Sequence, residues 1–129
     1  MRFKIDTSEK YHVITIQEPL FSANMTEEAQ NILLPYLVQP VKNLIINLQD
    51  IQSLEDAAAT LLINIQQTFY RQGASFVVCN LQPQVQKVLE GNDGYTELNS
   101  VPTESEAWDI VQMEEIEREL MREEEEPLA

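Results

Sequence analysis

One histidine, one cysteine and 22 carboxylates are the side chains in this sequence that could move protons, bind a metal or attack a substrate. Such chemistry needs those groups clustered at fixed spacing. His12 has no second histidine and no nearby cysteine to share a metal with, and its alternating segment suits a strand-face role. Cys79 closes an apolar run and reads as a small buried hydrophobe; being alone, it forms no internal disulfide. The three glycines, Gly73, Gly91 and Gly94, make neither a GxGxxG loop nor a phosphate-cradling P-loop. CxxC, HExxH and GxSxG are missing as well. From Met113 to Ala129 eight Glu stand against two Arg, a pattern that suits a solvated acidic face better than a catalytic cluster. We expect no enzyme, no metal and no cofactor.

One segment stands out, Ile45 to Leu62, in which an apolar strand and a short loop lead into a long helix opened by Asp56. A helix start carries free amides and the positive end of the dipole, so it attracts anions or a partner's polar groups. Asp56 can serve as the cap of that helix, or as the far end of a capping box begun by Ser53. Capping leaves Ala57, Ala58 and Ala59 unexplained. Three small residues on an exposed first turn give a surface that a partner can approach closely.

The elements that must position this segment follow from periodicity. Phe3, Ile5 and Thr7 alternate as a half-buried strand, and Tyr11–Gln17 form a second, joined to it as a hairpin. After a loop at Glu18–Ser22, Asn24 caps a helix from Met25 to about Val38 that Pro35 must kink or shorten. Leu44–Leu48 and Ser75–Cys79 read as central strands covered on both faces. The helix between them runs from about Glu55 to Gln72, and a short one follows at Gln82–Leu89. Tyr95–Leu98 is expected as a brief strand. Thr103 and Glu106 then make a capping box for a last helix that carries Ala107, Trp108, Ile110 and Val111. The fold class is α/β: one domain over residues 1–112, with a mixed, mostly parallel sheet of about five strands, an N-terminal hairpin and about four helices. Residues 113–129 form an acidic helical extension or tail.

The net charge of −14 and scattered basic residues argue against nucleic acid and against an anionic membrane surface. No apolar stretch reaches the roughly 20 residues needed to span a bilayer, and the N-terminus has no signal-peptide core. We expect a soluble, cytoplasmic protein without direct membrane insertion.

Element order and three stretches, Tyr11–Asn24, Leu44–Leu62 and Gly73–Leu98, resemble the STAS domain, the anti-sigma-factor-antagonist family, over roughly Phe3 to Val111. In phosphorylatable members of that family, a Ser or Thr after an Asp at the second helix start is modified by a kinase that is also the anti-sigma factor. Asp56 matches the acidic position, but Ala57 stands where the hydroxyl belongs and Ala59 where Gly is usual; Phe21 stands where many members have Asp. The resemblance therefore implies a degenerate phosphorylation site over Asp56–Ala59, with Thr60 and Ser53 as substitute acceptors. It implies a regulatory module that binds a protein partner, an anti-sigma factor/serine kinase or another STAS-containing complex. The surface expected to do so comprises Leu20, an exposed Phe21 anchor, Asn24, Ser53, Asp56, Ala57, Thr60 and Asn64, with Gln67 and Arg71 beyond. Two other readings stand beside it: an accessory subunit of a signalling or transporter assembly, and a nucleotide or small-molecule binder at the second helix start. On the last helix, Ile110, Met113, Ile116 and Leu120 continue an apolar stripe. It can dock on a partner, on a second copy as a homodimer, or back on its own domain.

Overall fold

The computed structural model describes residues 1–125, with side chains to Arg122; positions 126–129 of the acidic tail lie outside the described residues. Strand β1 (Phe3–Thr7) pairs antiparallel with β2 (His12–Ile16) across a turn closed by Ser8, whose N–H and Oγ both donate to the Tyr11 carbonyl. Strands β4 (Leu44–Asn47), β6 (Phe76–Cys79) and β7 (Asn99–Val101) continue the sheet in parallel, in the order β1-β2-β4-β6-β7. The remaining strands, β3 (Leu20–Phe21) and β5 (Ser53–Leu54), form a separate parallel pair. Among the described residues four helices pack around the sheet: α1 (Thr26–Leu33), α2 (Asp56–Arg71), α3 (Pro83–Glu90) and α4 (Glu104–Glu125). This is the expected α/β class, hairpin included.

Strand alternation divides the core. Ile14, Ile46 and Val78, aligned across β2, β4 and β6, face the large cluster made with α1, α2 and α3. Val13, Ile45 and Val77, one residue back, face α4 and pack with Ala107 and Val111 under the stacked rings of Tyr11 and Trp108, 4.7 Å apart. Both faces of the sheet are thus covered, which is why the central strands read as unbroken apolar runs.

Two local expectations change, at Tyr95–Leu98 and at Asn24, while Pro35 shortens the first helix as expected. Tyr95–Glu97 is a 3-10 turn and the strand begins at Asn99, because Gly94 turns the chain in the left-handed region at φ +87°. Proline has no N–H for the helical ladder, so α1 stops at Leu33 and Leu34–Val38 tighten into a 3-10 turn around Pro35. Asn24 is not the cap: it lies inside a 3-10 turn, Ala23–Met25, entered from Ser22, whose carbonyl accepts from Met25 N–H. Thr103 caps the last helix as expected, Glu106 N–H donating to Thr103 Oγ1 at 3.2 Å, which is the Thr103 half of the box. Gly73, at φ +75°, ends α2 in a Schellman arrangement, its N–H on Tyr70 O and that of Ala74 on Phe69 O.

Helix α4 is unbroken from Glu104 to Glu125 and is tied to the sheet at several points. Asn47 Nδ2 donates to Glu104 at 2.7 Å, Asn99 Nδ2 to Glu114 at 3.1 Å, and Asn43 Nδ2 to Glu115 at 2.7 Å. Arg118 reaches Ser75 Oγ at 3.2 Å. No helix among the described residues is long and apolar enough to cross a membrane.

His12 uses both ring nitrogens locally, on Thr7 Oγ1 and Val41 O, beside the Tyr36 ring. Cys79 is fully buried; burial first, and the Glu104 carboxylate second, push its thiol up to about 12. In the folded protein the thiol therefore stays protonated and shielded. Alkylation by iodoacetamide at pH 8 is expected to proceed only through unfolding, and rapid labelling of native protein sinks this assignment. Because the folded value is raised above 9.0, the fold is expected to lose the thiol's contribution as pH climbs from about 9 toward 12.

Candidate functional site

The parallel strands β2 and β4 end side by side, so the loops that follow them emerge on the same edge of the sheet. The β3–β5 pair welds those loops together. Gln52 and Ser53 donate their N–H groups to Pro19 O at 2.8 and 3.1 Å, and Glu55 N–H donates to Phe21 O at 3.0 Å. Glu55 then reaches across with its carboxylate, which accepts from Ala23 N–H at 2.7 Å and closes the 3-10 turn entered by the other loop. Gln82 Nε2 pins the second loop from the α3 side through Gln49 O. Two segments paired at a separation of 33 residues, Leu20 with Ser53 and Phe21 with Leu54, thus form one ledge over the start of α2.

Glu55 is the N-cap of α2, with extended backbone (φ −81°, ψ 154°), and its carbonyl accepts from both Ala58 and Ala59 N–H. Asp56 is therefore the first helical residue, not the cap and not the end of a box with Ser53. Its carboxylate faces solvent in the first turn, favourable beside the positive end of the dipole. Ala57 is exposed one residue on. Ala58 and Ala59 are completely buried, correcting the reading of three exposed alanines. The signal was present in the sequence: Ala58 opens the inward series Ala58, Leu62, Ile65, Phe69, and Ala59 opens Ala59, Ile63, Gln66.

Phe21 corrects the expectation most. It is 0% exposed and belongs to the main core, whereas its neighbour Leu20 is 42% exposed. Successive residues of a strand point oppositely, so a loop with one apolar anchor inside shows the next residue outside. Leu20 is the ledge's outward apolar side chain. Asn24, Ser53, Asp56, Ala57, Thr60 and Asn64 are all exposed, and Ala57, Thr60 and Asn64 share one face of α2 at three- and four-residue spacing. Gln67 is half-buried and donates to Glu97, and Arg71 lies beside Thr68 on the exposed end of the helix. Thr60 is not a free hydroxyl, since its Oγ1 donates to Asn92 Oδ1 at 3.0 Å. The residue that sequence reasoning passed over is Glu55, whose cross-loop bond depends on a pairing no local pattern announces.

Chemically the ledge is a contact surface: a small methyl at a helix start, an apolar neighbour, amides and carboxylates. The larger clefts lie elsewhere, one of about 500 Å³ by Phe3, Ile32 and Tyr36, another of about 480 Å³ by Gln66, Tyr70 and Glu114. Among the described residues no three of His, Cys, Asp or Glu converge to hold a metal ion.

A family model for the STAS domain matches residues 2–107. No curated protein matches the chain. Solved structures similar in fold include the anti-sigma factor antagonist SpoIIAA in its unphosphorylated form, with a TM-score of 0.69, 18% identity, and coverage of 86% of this chain and 96% of that one. A variant of RsbS from Moorella thermoacetica matches with a TM-score of 0.70 and 20% identity, covering 87% and 96%. The murine anion transporter Slc26a9 matches over 80% of this chain but only 18% of its own length, with a TM-score of 0.63 and 12% identity.

Proposed function

The chain belongs to the STAS domain family, and on that premise we propose that it is a cytoplasmic, non-catalytic regulatory protein-binding module of the anti-sigma-antagonist kind, locked in the unphosphorylated state at residue 57. The observation that carries this reading is Ala57 itself, exposed on the first turn of α2, where a methyl group accepts no phosphate. In a member with a hydroxyl there, phosphate adds about −1.5 to −2 charges and opposes a partner contact. This chain keeps a neutral, low surface at the same point, with exposed Leu20 on the paired loop and an underlay of hydrogen bonds that holds the ledge in shape. The proposed partner is a protein, an anti-sigma factor/serine kinase or another STAS-containing complex, meeting Leu20, Asn24, Ser53, Asp56, Ala57, Thr60 and Asn64.

Ala57→Glu tests this, because it places a charge on the ledge without touching the core. Stability is expected to change by less than about 1 kcal/mol, since an acidic residue suits a helix start. Capture of a partner from native lysate is expected with the wild type and lost with Ala57→Glu and Leu20→Asp. The same proteins recovered by all three overturn the surface. Phe21→Asp is no substitute, for it charges the core. Intact-mass measurement after incubation with the captured partner and ATP is expected to show no phosphate on Thr60 or Ser53.

A further inference from the structure

We propose that α4 presents a second docking surface, separate from the α2 ledge, for an amphipathic helix of a partner whose apolar face is edged by Lys and Arg. Among the described residues, four of the most exposed large apolar side chains lie on this one helix: Met113 at 55%, Ile116 at 57%, Leu120 at 55% and Met121 at 60%. Met113, Ile116 and Leu120 recur at three and four, within about 60° of one another at about 3.6 residues per turn. Their centre lies about 180° from the side formed by Ala107, Val111 and Arg118. That inner side is already committed to the sheet through buried Ala107 and Val111 and the bonds of Glu114, Glu115 and Arg118. The outward stripe is therefore not a face waiting to fold back onto this domain.

Charge selects the occupant. With Met113, Ile116 and Leu120 as the a, d and a positions of a heptad, Glu117 falls at e and Glu119 at g. Antiparallel pairing with a second copy sets Glu117 against Glu117 and Glu119 against Glu119, and parallel pairing sets position 119 against position 124, also Glu. Any helix laid along the stripe also meets the flanking carboxylates, and a basic-edged helix satisfies them while covering the seam.

The test uses the full chain and two synthetic four-heptad peptides with Ile at a and Leu at d, one carrying Lys at e and g, the other Glu. Binding is read by fluorescence anisotropy beside sedimentation of the protein alone. We expect the Lys peptide to bind the wild type, the Glu peptide not to bind, and a monomeric protein. In Ile116→Gln/Leu120→Gln, which leaves the net charge unaltered, Lys-peptide affinity is expected to fall by about tenfold or more. Near-UV circular dichroism of the stacked Tyr11–Trp108 pair verifies that this variant keeps its fold. Equal binding to both proteins reduces the effect to bulk charge and overturns the proposal, as does no binding to either. A wild-type dimer that the double variant dissolves overturns it in favour of a second copy. None of these outcomes depends on Ala57.

Discussion

Phe21→Ala is expected to destabilise the fold by about 3–5 kcal/mol, a large share of the about 5–15 kcal/mol that holds a typical domain together. Phe21 is among the largest fully buried side chains, and its ring is the only part of a two-residue strand that reaches the main core. Truncation removes its apolar transfer energy and leaves a cavity among side chains that cannot all move inward. Urea titration followed by circular dichroism measures the loss, with the dependence on denaturant unchanged if unfolding stays two-state. Phe21→Leu, which keeps most of the volume, is expected to cost much less. The functional consequence follows from the pairing of β3 with β5. Loosening Phe21 frees the Glu55–Ala23 latch, so partner binding falls together with stability, whereas Leu20→Asp loses binding alone. A stability loss below about 1 kcal/mol for Phe21→Ala places the ring outside the core and reverses the roles given to residues 20 and 21.

Asn43→Ala is expected to cost about 2–4 kcal/mol, through groups left unpaired more than through lost volume. Asn43 is 6% exposed at the entry to β4. Its Nδ2 donates to Lys10 O at 3.0 Å and to Glu115 at 2.7 Å, and its Oδ1 accepts from Ser75 N–H at 2.9 Å and from Arg118 at 3.5 Å. One amide thus joins the hairpin, β4, the entry to β6, and α4. Alanine strands the buried Ser75 N–H and removes a partner from each of two charged side chains on α4. Asn43→Asp is a sharper variant: it retains an acceptor for Ser75 but sets a carboxylate against Glu115. Thermal unfolding of Asn43→Ala, Arg118→Ala and the double variant gives the coupling directly. Strict additivity sinks the idea that these residues form one network.

The sheet's central strands were legible because each carries an unbroken apolar run covered on both faces, and the helices because inward positions recur at three and four. Thr103 and Glu106 announced the start of α4 through their spacing. The ledge was legible only in part. Its two halves, Leu20–Asn24 and Ser53–Thr60, were named from sequence, but β3 and β5 have two residues each, too few for any period to show. Without that pairing, Phe21 reads as a loop residue free to face a partner and Glu55 as an ordinary helix-start carboxylate.

Sequence by itself determined that residue 57 bears a methyl group and no hydroxyl, that no catalytic cluster is encoded by local spacing, and that the chain alternates strands with helices. Those are covalent and short-range facts, and a linear pattern records them. Tertiary structure decided that Leu20 faces out while Phe21 faces in, that only the first of three alanines meets solvent, and that α4 spends its inner side on the sheet and leaves its stripe uncovered. Each of these depends on the rotation of an element against a distant neighbour. That rotation is set by hydrogen bonds and packing between segments tens of residues apart, which local periodicity does not contain.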